Sequence, residues 1–592
     1  MSAGAIDEVS APPADAGRGL LGVLRRLVRA REISLVVVAA VIGVCAGIGV
    51  TAVSRGAQLM HEWLYGAPRI SSLPGPLPLH LLLWPAVGGL VVGGLGLALK
   101  RWRPWPIVDP IEANALHGGR MSLVDSIILA GQTMLANGFG ASVGMEAGYT
   151  QTGSGIASTL GSLLRLRRAD LRVMVGCGAA GGIAAAFQAP LTGAFYGFEL
   201  IIGVYAIPAV APVMTAALVA YLTAQQLGAV STPIILPPLG PLLASSYAPF
   251  LFLGLVAGVV SIGIMRLVTL VEQGFVRSGI PSYLRPMVGG LGVGALGLYS
   301  PQVLASGEGA LHIQVGTGVT SAVAIIFLLK ISAASLSLGA GFRGGLFFSA
   351  LFMGSLLGKL FAGVAAIVLP HLALDPVIAA VVGMSALAVG VVGGPLTMTF
   401  LTLEITGDLP IAGLVLTASI VCSLLVRETF GYSFSTWRMH LRGETIRSAL
   451  DIGWLRALTV ERMMRHDVPA FGMDAPLKTF RAAFPLGSVR KVVLRDEEGR
   501  YAGIVSVAQA HSDVQQPETR IATLAQNVDD VLLPQMNVKE AAGLFDRTQS
   551  DELVVVDAPH SRVVVGMLSE AHALKRYAEE LDKARRDVSG DR

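Results

Sequence analysis

The segment GMEAGYTQTGSGIAS, residues 144–158, contains one carboxylate in a region that is otherwise apolar for tens of residues on both sides. No cation lies near Glu146 in the sequence. A charge inside a membrane costs several kcal/mol, so an acid in such a region indicates a function. A glycine-rich turn that opens a helix exposes backbone N–H groups and the positive end of the helix dipole. These groups bind anions, and a carboxylate could occupy the same place as a tethered anion.

Four helix starts of this kind can be proposed: before Ile111, at Gly144–Gly148, at Gly341–Gly345 and near Gly431. Together they favour an anion path, because a cation path would need paired acids or carbonyl-lined helix ends. An enzyme inside the membrane would need a nucleophile and a base, or metal ligands, in one cavity. The apolar region contains no H-E-x-x-H motif. We therefore predict a transport protein with no catalytic residues, no metal and no cofactor.

The helices that would position these residues follow from the composition. The chain has 592 residues, of which 53% are hydrophobic and 14% are charged, whereas soluble domains contain roughly 25% charged residues. Apolar windows of nearly membrane-spanning length occur at residues 33–53, 79–99, 250–270 and 411–426, given a hydrocarbon core of about 30 Å. The 71 glycines indicate helices that pack closely or break within the membrane. A net charge of +4 gives no reason to expect nucleic-acid binding.

Arginine clusters predict the orientation of the chain. One cluster precedes the first span, another lies in a loop, and a third follows the last span, and all three are expected to face the cytoplasm. Both termini are then cytoplasmic, and the chain is an integral protein of a bacterial inner (plasma) membrane. The members of the clusters are Arg18, Arg25, Arg26, Arg29 and Arg31; Arg165, Arg167, Arg168 and Arg172; and Arg427, Arg438 and Arg442. The cysteines Cys45, Cys177 and Cys422 all lie in apolar segments, which favours packing over a disulfide framework.

The membrane part of the sequence contains a repeat. Residues 178–199 and 383–404 both have Pro-Leu-Thr twelve residues after a glycine and a glutamate nine residues after the proline. Such repeats are typical of transporters that build a central site from broken helices. We expect the two glutamates, Glu199 and Glu404, to cap helices.

The composition changes near residue 443, beyond which charges are frequent and apolar runs have strand length. Two units, RKVVLRDEEGRYAGIVSV and DELVVVDAPHSRVVVGMLSE, share a strand–turn–strand layout. They resemble a tandem pair of CBS domains, a regulatory α/β module. In nucleotide-binding members an aspartate holds the ribose, but Gln509 and His572 stand at those places here. Nucleotide binding is therefore doubtful, and a ligand sensor and a folded domain that stabilises a dimer remain alternatives.

The membrane part, over residues 33–443, resembles the CLC family of chloride channels and chloride/proton antiporters. GMEAGYTQTGSG is similar to the family's G-K/R-E-G-P segment, which implies that Glu146 is the gating glutamate. GGLFFS resembles G-x-F-x-P, whose main-chain amides line the inner pathway. The residues of the anion pathway implied by these two segments are Gly144, Met145, Ala147, Gly148, Tyr149, Gly345, Leu346 and Phe347. The family fold is all-α, with two inverted halves and a separate pore in each subunit of a homodimer.

The sequence also departs from the family pattern. Ile107 falls on the serine that touches the central anion, Ser435 on the tyrosine that faces it, and Ser349 on the proline of G-x-F-x-P. Anion binding should then depend on backbone amides, with millimolar or weaker affinity, worth about 4 kcal/mol or less. Leu200 stands where antiporters have the internal proton acceptor, and a leucine carries no proton.

The whole sequence thus predicts a cytoplasmic segment at 1–32, a CLC-like domain at 33–443, a linker at 444–457, a CBS pair at 458–582 and a tail at 583–592. The expected function is a voltage- or pH-gated channel or permease for chloride or another small anion. A chloride/proton antiporter of the same family is the alternative. The expected partners are the lipid bilayer, the anion, protons in the alternative, and a second copy of the chain.

Overall fold

The computed structural model describes residues 32–103, 106–228, 240, 242, 247–370, 374–443, 458–512 and 516–589. The chain divides into two compact units, residues 1–451 and 452–592. The amino-terminal arginines Arg18, Arg25, Arg26, Arg29 and Arg31 and the predicted linker at 444–457 lie outside the described residues.

The first unit is helical. Its first half contains α1 (Glu32–Tyr65), α2 (Trp84–Trp102), α3 (Pro110–Leu116), α4 (Leu123–Gly138), α5 (Glu146–Leu163), α6 (Arg168–Phe187), α7 (Pro190–Tyr196) and α8 (Ile207–Gln226). A π-helical turn, Gly197–Ile202, continues α7. Its second half contains α9 (Tyr247–Arg277), α10 (Arg285–Gly297), α11 (Glu308–Gly316), α12 (Ser321–Ala340), α13 (Phe347–Val368), α14 (Pro376–Val392), α15 (Pro395–Thr406), α16 (Leu409–Thr429) and α17 (Phe434–Leu441).

Eight helical stretches among the described residues are long and apolar enough to cross a membrane. Each of the four apolar windows read from the sequence overlaps one of them, in α1, α2, α9 or α16. Large apolar side chains such as Ile33, Trp63, Ile207 and Ile367 are exposed on their outer faces. Exposed apolar surface of this extent suits lipid and not water. The chain is an integral membrane protein.

The repeat in the sequence has a counterpart in the packing. A Cβ atom on Gly153 of α5 would lie 2.0 Å from the carbonyl oxygen of Gly178 in α6, so the two helices touch through their backbones. In the second half, a Cβ atom on Gly354 of α13 would lie 2.4 Å from the carbonyl oxygen of Gly383 in α14. Gly178 and Gly383 are the glycines that open the two repeats. Glycine at these four positions therefore permits the same close helix pair in each half.

The second unit combines short strands and helices. It contains α18 (Val460–Met463), β1 (Ala470–Gly472), α19 (Leu477–Ala483), β2 (Lys491–Arg495), β3 (Tyr501–Ser506), α20 (Val507–Ala510), α21 (Val538–Thr548), β4 (Glu552–Val556), β5 (Val564–Ser569) and α22 (Glu570–Ser589). In one sheet β1 is parallel to β2 and β2 is antiparallel to β3, and in the other β4 is antiparallel to β5. The two strand–turn–strand segments predicted from the sequence form β2–β3 and β4–β5.

The two sheets of this unit share an apolar core. Side chains of β2 and β3, such as Val493 and Ile504, lie in one buried cluster with Val554 and Met567 of β4 and β5. Lys491 of β2 also forms an ion pair with Asp551, the residue before β4. The hydrogen bond between Lys491 and Asp551 lowers the pKa of the Asp551 carboxyl below its usual value, because it stabilises the ionised form.

Candidate functional site

The site is built where two broken helices begin. Helix α5 starts at Glu146 and α13 starts at Phe347. The segments before them meet through a pair of backbone hydrogen bonds: Gly144 N–H donates to Gly345 O at 2.9 Å, and Gly345 N–H donates to Gly144 O at 3.0 Å. This bridge brings the amino-terminal ends of the two helices together, so their free N–H groups and positive dipole ends converge.

The Glu146 carboxylate reaches from one of these helices to the other. Its side chain is buried, and Oε1 accepts a hydrogen bond from the backbone N–H of Phe348 at 2.6 Å. Within the described residues Oε2 has no hydrogen-bond partner. The negative charge of α5 thus lies at the positive end of α13, where an anion is stabilised.

The two bridging glycines leave room for this carboxylate. A Cβ atom on Gly144 would lie 2.1 Å from Oε2 of Glu146, and one on Gly345 would lie 2.8 Å from the same atom. Real contacts at these distances do not occur, so a larger residue at either position would displace the carboxylate. The glycines of the two motifs are therefore needed for space, beyond any need for a turn.

A cavity of about 660 Å³ adjoins the carboxylate. Residues from both sequence motifs and from the predicted central site line it together with Glu146: Ile107, Ala147, Gly345, Leu346, Phe347 and Ser435. The segment before α3 is held against α5, because Gln151 Nε2 donates to Val108 O at 2.9 Å. The structure thus brings Ile107 and Ser435, which are far apart in the sequence, to one cavity with Glu146.

The other members of the predicted site lie elsewhere. The side chains of Met145 and Tyr149 pack in an apolar cluster with Val50 of α1. Gly148 faces α4, where a Cβ atom would lie 2.2 Å from Thr133 Oγ1. Leu200 lies in the wall of a second cavity, of about 190 Å³. None of these four residues is among those that line the larger cavity in the described part of the chain.

Charged side chains also line the larger cavity, and motif analysis did not single out their role. Four are cations: Arg277, Arg343, Arg438 and Arg442. Apart from Glu146, the acids in its lining are Asp109 and Glu272. Asp109 caps α3, since its Oδ1 accepts from Ile111 N–H at 2.8 Å, and the Asp-Pro pair at the start of this helix is the signal that could have found it. The excess of cations attracts anions into the cavity.

A buried lysine near the site was also missed. Lys330 Nζ donates to Ser142 Oγ at 2.9 Å and to the backbone oxygens of Val303 and Ala305 at 3.2 and 2.8 Å. Ser142 lies two residues before Gly144. The lysine therefore ties the segment that precedes the Glu146 helix to the loop before α11. The sequence showed it as a lone cation in an apolar helix, without its partners.

The two repeated glutamates cap each other's repeat. Glu199 accepts from Leu396 N–H, Thr397 N–H and Thr397 Oγ1 at 3.0, 2.8 and 2.6 Å. Glu404 accepts from the equivalent groups, Leu191 N–H, Thr192 N–H and Thr192 Oγ1, at 2.8, 2.9 and 2.5 Å. The prediction that both glutamates cap helices is confirmed, and the capped helices are α15 and α7, each from the opposite half.

Comparison with known proteins identifies the family. Residues 100–427, more than half of the chain, match the family model of the voltage-gated chloride channel. A ClcB-like protein of Ralstonia nicotianae is 30% identical over 384 residues, which are 63% of this chain and 89% of that protein. The voltage-gated ClC-type chloride channel ClcB of Citrobacter koseri is 29% identical over 399 residues, 66% of this chain and 95% of that protein.

Solved structures show the same fold. A slow cyanobacterial Cl⁻/H⁺ antiporter aligns with a TM-score of 0.60 and 22% identity, over 69% of this chain and 97% of the antiporter. A eukaryotic CLC transporter aligns with a TM-score of 0.58 and 18% identity, over 94% of this chain and 99% of that protein. The chain belongs to the voltage-gated chloride channel (CLC) family, whose members transport ions and are not enzymes.

Proposed function

We propose that this chain is a chloride or small-anion channel or permease in which Glu146 gates the pathway. The hydrogen bond from Phe348 N–H to the Glu146 carboxylate carries the proposal. A carboxylate held there occupies backbone donors that a permeating anion would use, so the pathway is blocked while Glu146 is ionised.

Protonation of Glu146 is expected to open the gate. A neutral carboxyl group loses most of its attraction to the amino-terminal end of α13, because the helix dipole favours negative charge. The side chain then exchanges for an anion. Flux is therefore expected to rise as the pH falls.

A chloride/proton antiporter is the second candidate. It is favoured by the similarity in fold to a Cl⁻/H⁺ antiporter and to a CLC-type fluoride/proton antiporter, which aligns with a TM-score of 0.57 and 23% identity. Leu200 weighs against it, because this side chain cannot hold a proton. We expect few protons to move per anion.

The assembly belongs to the same proposal. Two copies of the chain form a homodimer in a bacterial inner membrane, each with its own pathway and with both termini in the cytoplasm. Residues 458–582 form a CBS pair, since β2–β3 and β4–β5 repeat one strand–turn–strand pattern.

The test is anion flux from vesicles that contain the full-length protein, with the potential set by potassium and valinomycin. The change Glu146→Gln preserves size and removes the charge. We expect this variant to lose most of its pH dependence and to conduct at neutral pH at least as fast as the wild type does at acid pH. Glu428→Gln, an exposed acid in the last turn of α16, is the matched control.

Two results would contradict the proposal. A wild-type pH profile in Glu146→Gln would show that this carboxylate is not the gate. Recording external pH in the same vesicles distinguishes the two candidates: proton uptake driven uphill by a chloride gradient in the wild type would establish the antiporter and require a proton path that does not use Leu200.

A further inference from the structure

Tyr196, the last residue of α7, lies at the meeting point of the elements that form the cavity. It lines the cavity with Ile107, Glu146 and Ser435. Its ring centroid is 6.2 Å from that of Phe347, the first residue of α13. The ring also packs against the cluster that contains Ile111 of α3. Tyr196 thus lies beside the starts of α3 and α13.

The hydroxyl group of this tyrosine is available to bind a ligand in the cavity. Tyr65 donates its hydroxyl to Phe139 O at 2.9 Å, and the Tyr149 hydroxyl contacts Met145 Sδ at 3.7 Å. Within the described residues, the Tyr196 hydroxyl makes no hydrogen bond. It is also not among the fully buried polar atoms that lack a partner, so its oxygen is accessible from the cavity. A phenol inside a membrane protein is costly without a partner. The cavity is the place from which a partner can come.

Two threonine hydroxyls in the cavity lining already donate within the protein: Thr150 Oγ1 to Glu146 O at 3.0 Å and Thr269 Oγ1 to Met265 O at 3.1 Å. Ile107 has no hydroxyl group, and Ser435 has one on a side chain much shorter than tyrosine. A hydrogen bond to an anion is among the stronger ones in proteins. We propose that the Tyr196 hydroxyl donates to the permeating anion at the centre of the cavity and sets the preference for chloride. This proposal rests on the anion pathway proposed above.

The expected preference follows from the donor. A single phenol O–H favours a small anion with concentrated charge over a large one with dispersed charge. Chloride should therefore gain more from Tyr196 than nitrate does. Loss of one such bond should weaken chloride binding by about tenfold.

The test uses Tyr196→Phe, which retains the ring and removes only the hydroxyl. It is made in full-length Glu146→Gln protein, so that no carboxylate competes for the site. In vesicles, we expect the half-saturating chloride concentration to rise about tenfold and the ratio of chloride to nitrate flux to fall. Tyr221→Phe is the control, because the Tyr221 hydroxyl contacts Gln225 within α8, away from the cavity.

Unchanged half-saturation and an unchanged chloride-to-nitrate ratio in Tyr196→Phe would overturn the proposal. No anion flux in the Glu146→Gln parent would instead refute the pathway itself. Ile107→Ser provides a second test, because it places a hydroxyl at another position in the cavity wall. Its addition to Tyr196→Phe should recover chloride affinity, and a double variant that stays at the Tyr196→Phe value would contradict a substitution of one donor by another.

Discussion

The position of the Glu146 carboxylate depends on the residues that leave space for it as much as on the N–H group that binds it. Among the described residues this carboxylate accepts one hydrogen bond, from Phe348 N–H, and it fits because Gly144 and Gly345 have no side chains. A buried charge with few partners is weakly held compared with the carboxylates of Glu199 and Glu404, each of which accepts three hydrogen bonds. A weakly held carboxylate suits a gate, and firmly held ones suit permanent caps.

The change Gly345→Ala tests the spatial part of this argument. Its Cβ atom would lie 2.8 Å from Glu146 Oε2 and should push the carboxylate out of the site. We expect flux at neutral pH to rise several-fold and its pH dependence to flatten. Glu146→Gln should add little to this variant, because both changes remove the same block.

Gly413→Ala in α16 is the control, since a Cβ atom there meets nothing within 4 Å. Flux in Gly345→Ala that is equal to or slower than the wild type, with the pH profile intact, would mean that the carboxylate and the new methyl group coexist.

At the level of elements, the two halves are locked by an exchange of caps. The glutamate that follows α7 caps α15, and the glutamate within α15 caps α7. Both helices begin with proline, whose missing N–H leaves the next two N–H groups for the carboxylate. Because each half supplies the cap of the other, neither helix start is satisfied within its own repeat.

Glu404→Gln should therefore destabilise the membrane unit. The amide retains one acceptor oxygen, but its NH₂ group faces an N–H donor and the charge at the helix end is lost. We expect a loss of about 2 kcal/mol and a melting temperature in detergent that falls by several degrees. The measurement is thermal unfolding followed by loss of the monodisperse peak in gel filtration.

Glu428→Gln, exposed at the end of α16, serves as the control and should unfold as the wild type does. A melting temperature of Glu404→Gln within a degree of this control would show that the exchange of caps contributes little to stability.

For the whole molecule, the second unit raises the question of a ligand. Gln509 lies in α20, and its Oε1 accepts from Gln526 Nε2 at 2.9 Å, so its side chain is already engaged. His572 lies in the first turn of α22. A neutral amide and an imidazole cannot hold a ribose as an ionised aspartate does.

We therefore expect ATP, ADP and AMP to leave the melting temperature of a fragment of residues 444–592 unchanged. A ligand at a hundred times its Kd stabilises by about 2.7 kcal/mol, so binding would be visible as a shift of several degrees. A shift at millimolar nucleotide would reveal a site made by other residues. Gln509→Asp is the matched variant that restores the acid of the family pattern.

The sequence alone predicted much of this arrangement. Long apolar segments and low charge predicted a membrane protein. Glycine-rich segments before apolar helices predicted the starts of α5 and α13, because a break in a helix depends on the residues at the break itself. The glutamate nine residues after the proline of each Pro-Leu-Thr predicted two caps, since an isolated buried acid needs N–H donors. The strand–turn–strand units were recognised from the alternation of β-branched residues and polar turns.

Only the tertiary structure decided which groups meet. It brought Phe348 to Glu146, Ile107 and Ser435 to one cavity, and the glutamate of each repeat to the helix of the other. Tyr196 and Lys330 gained their significance there as well, since their neighbours come from distant parts of the chain. Local sequence determines where helices start and which faces are apolar, but contacts between residues two hundred positions apart depend on how whole helices pack.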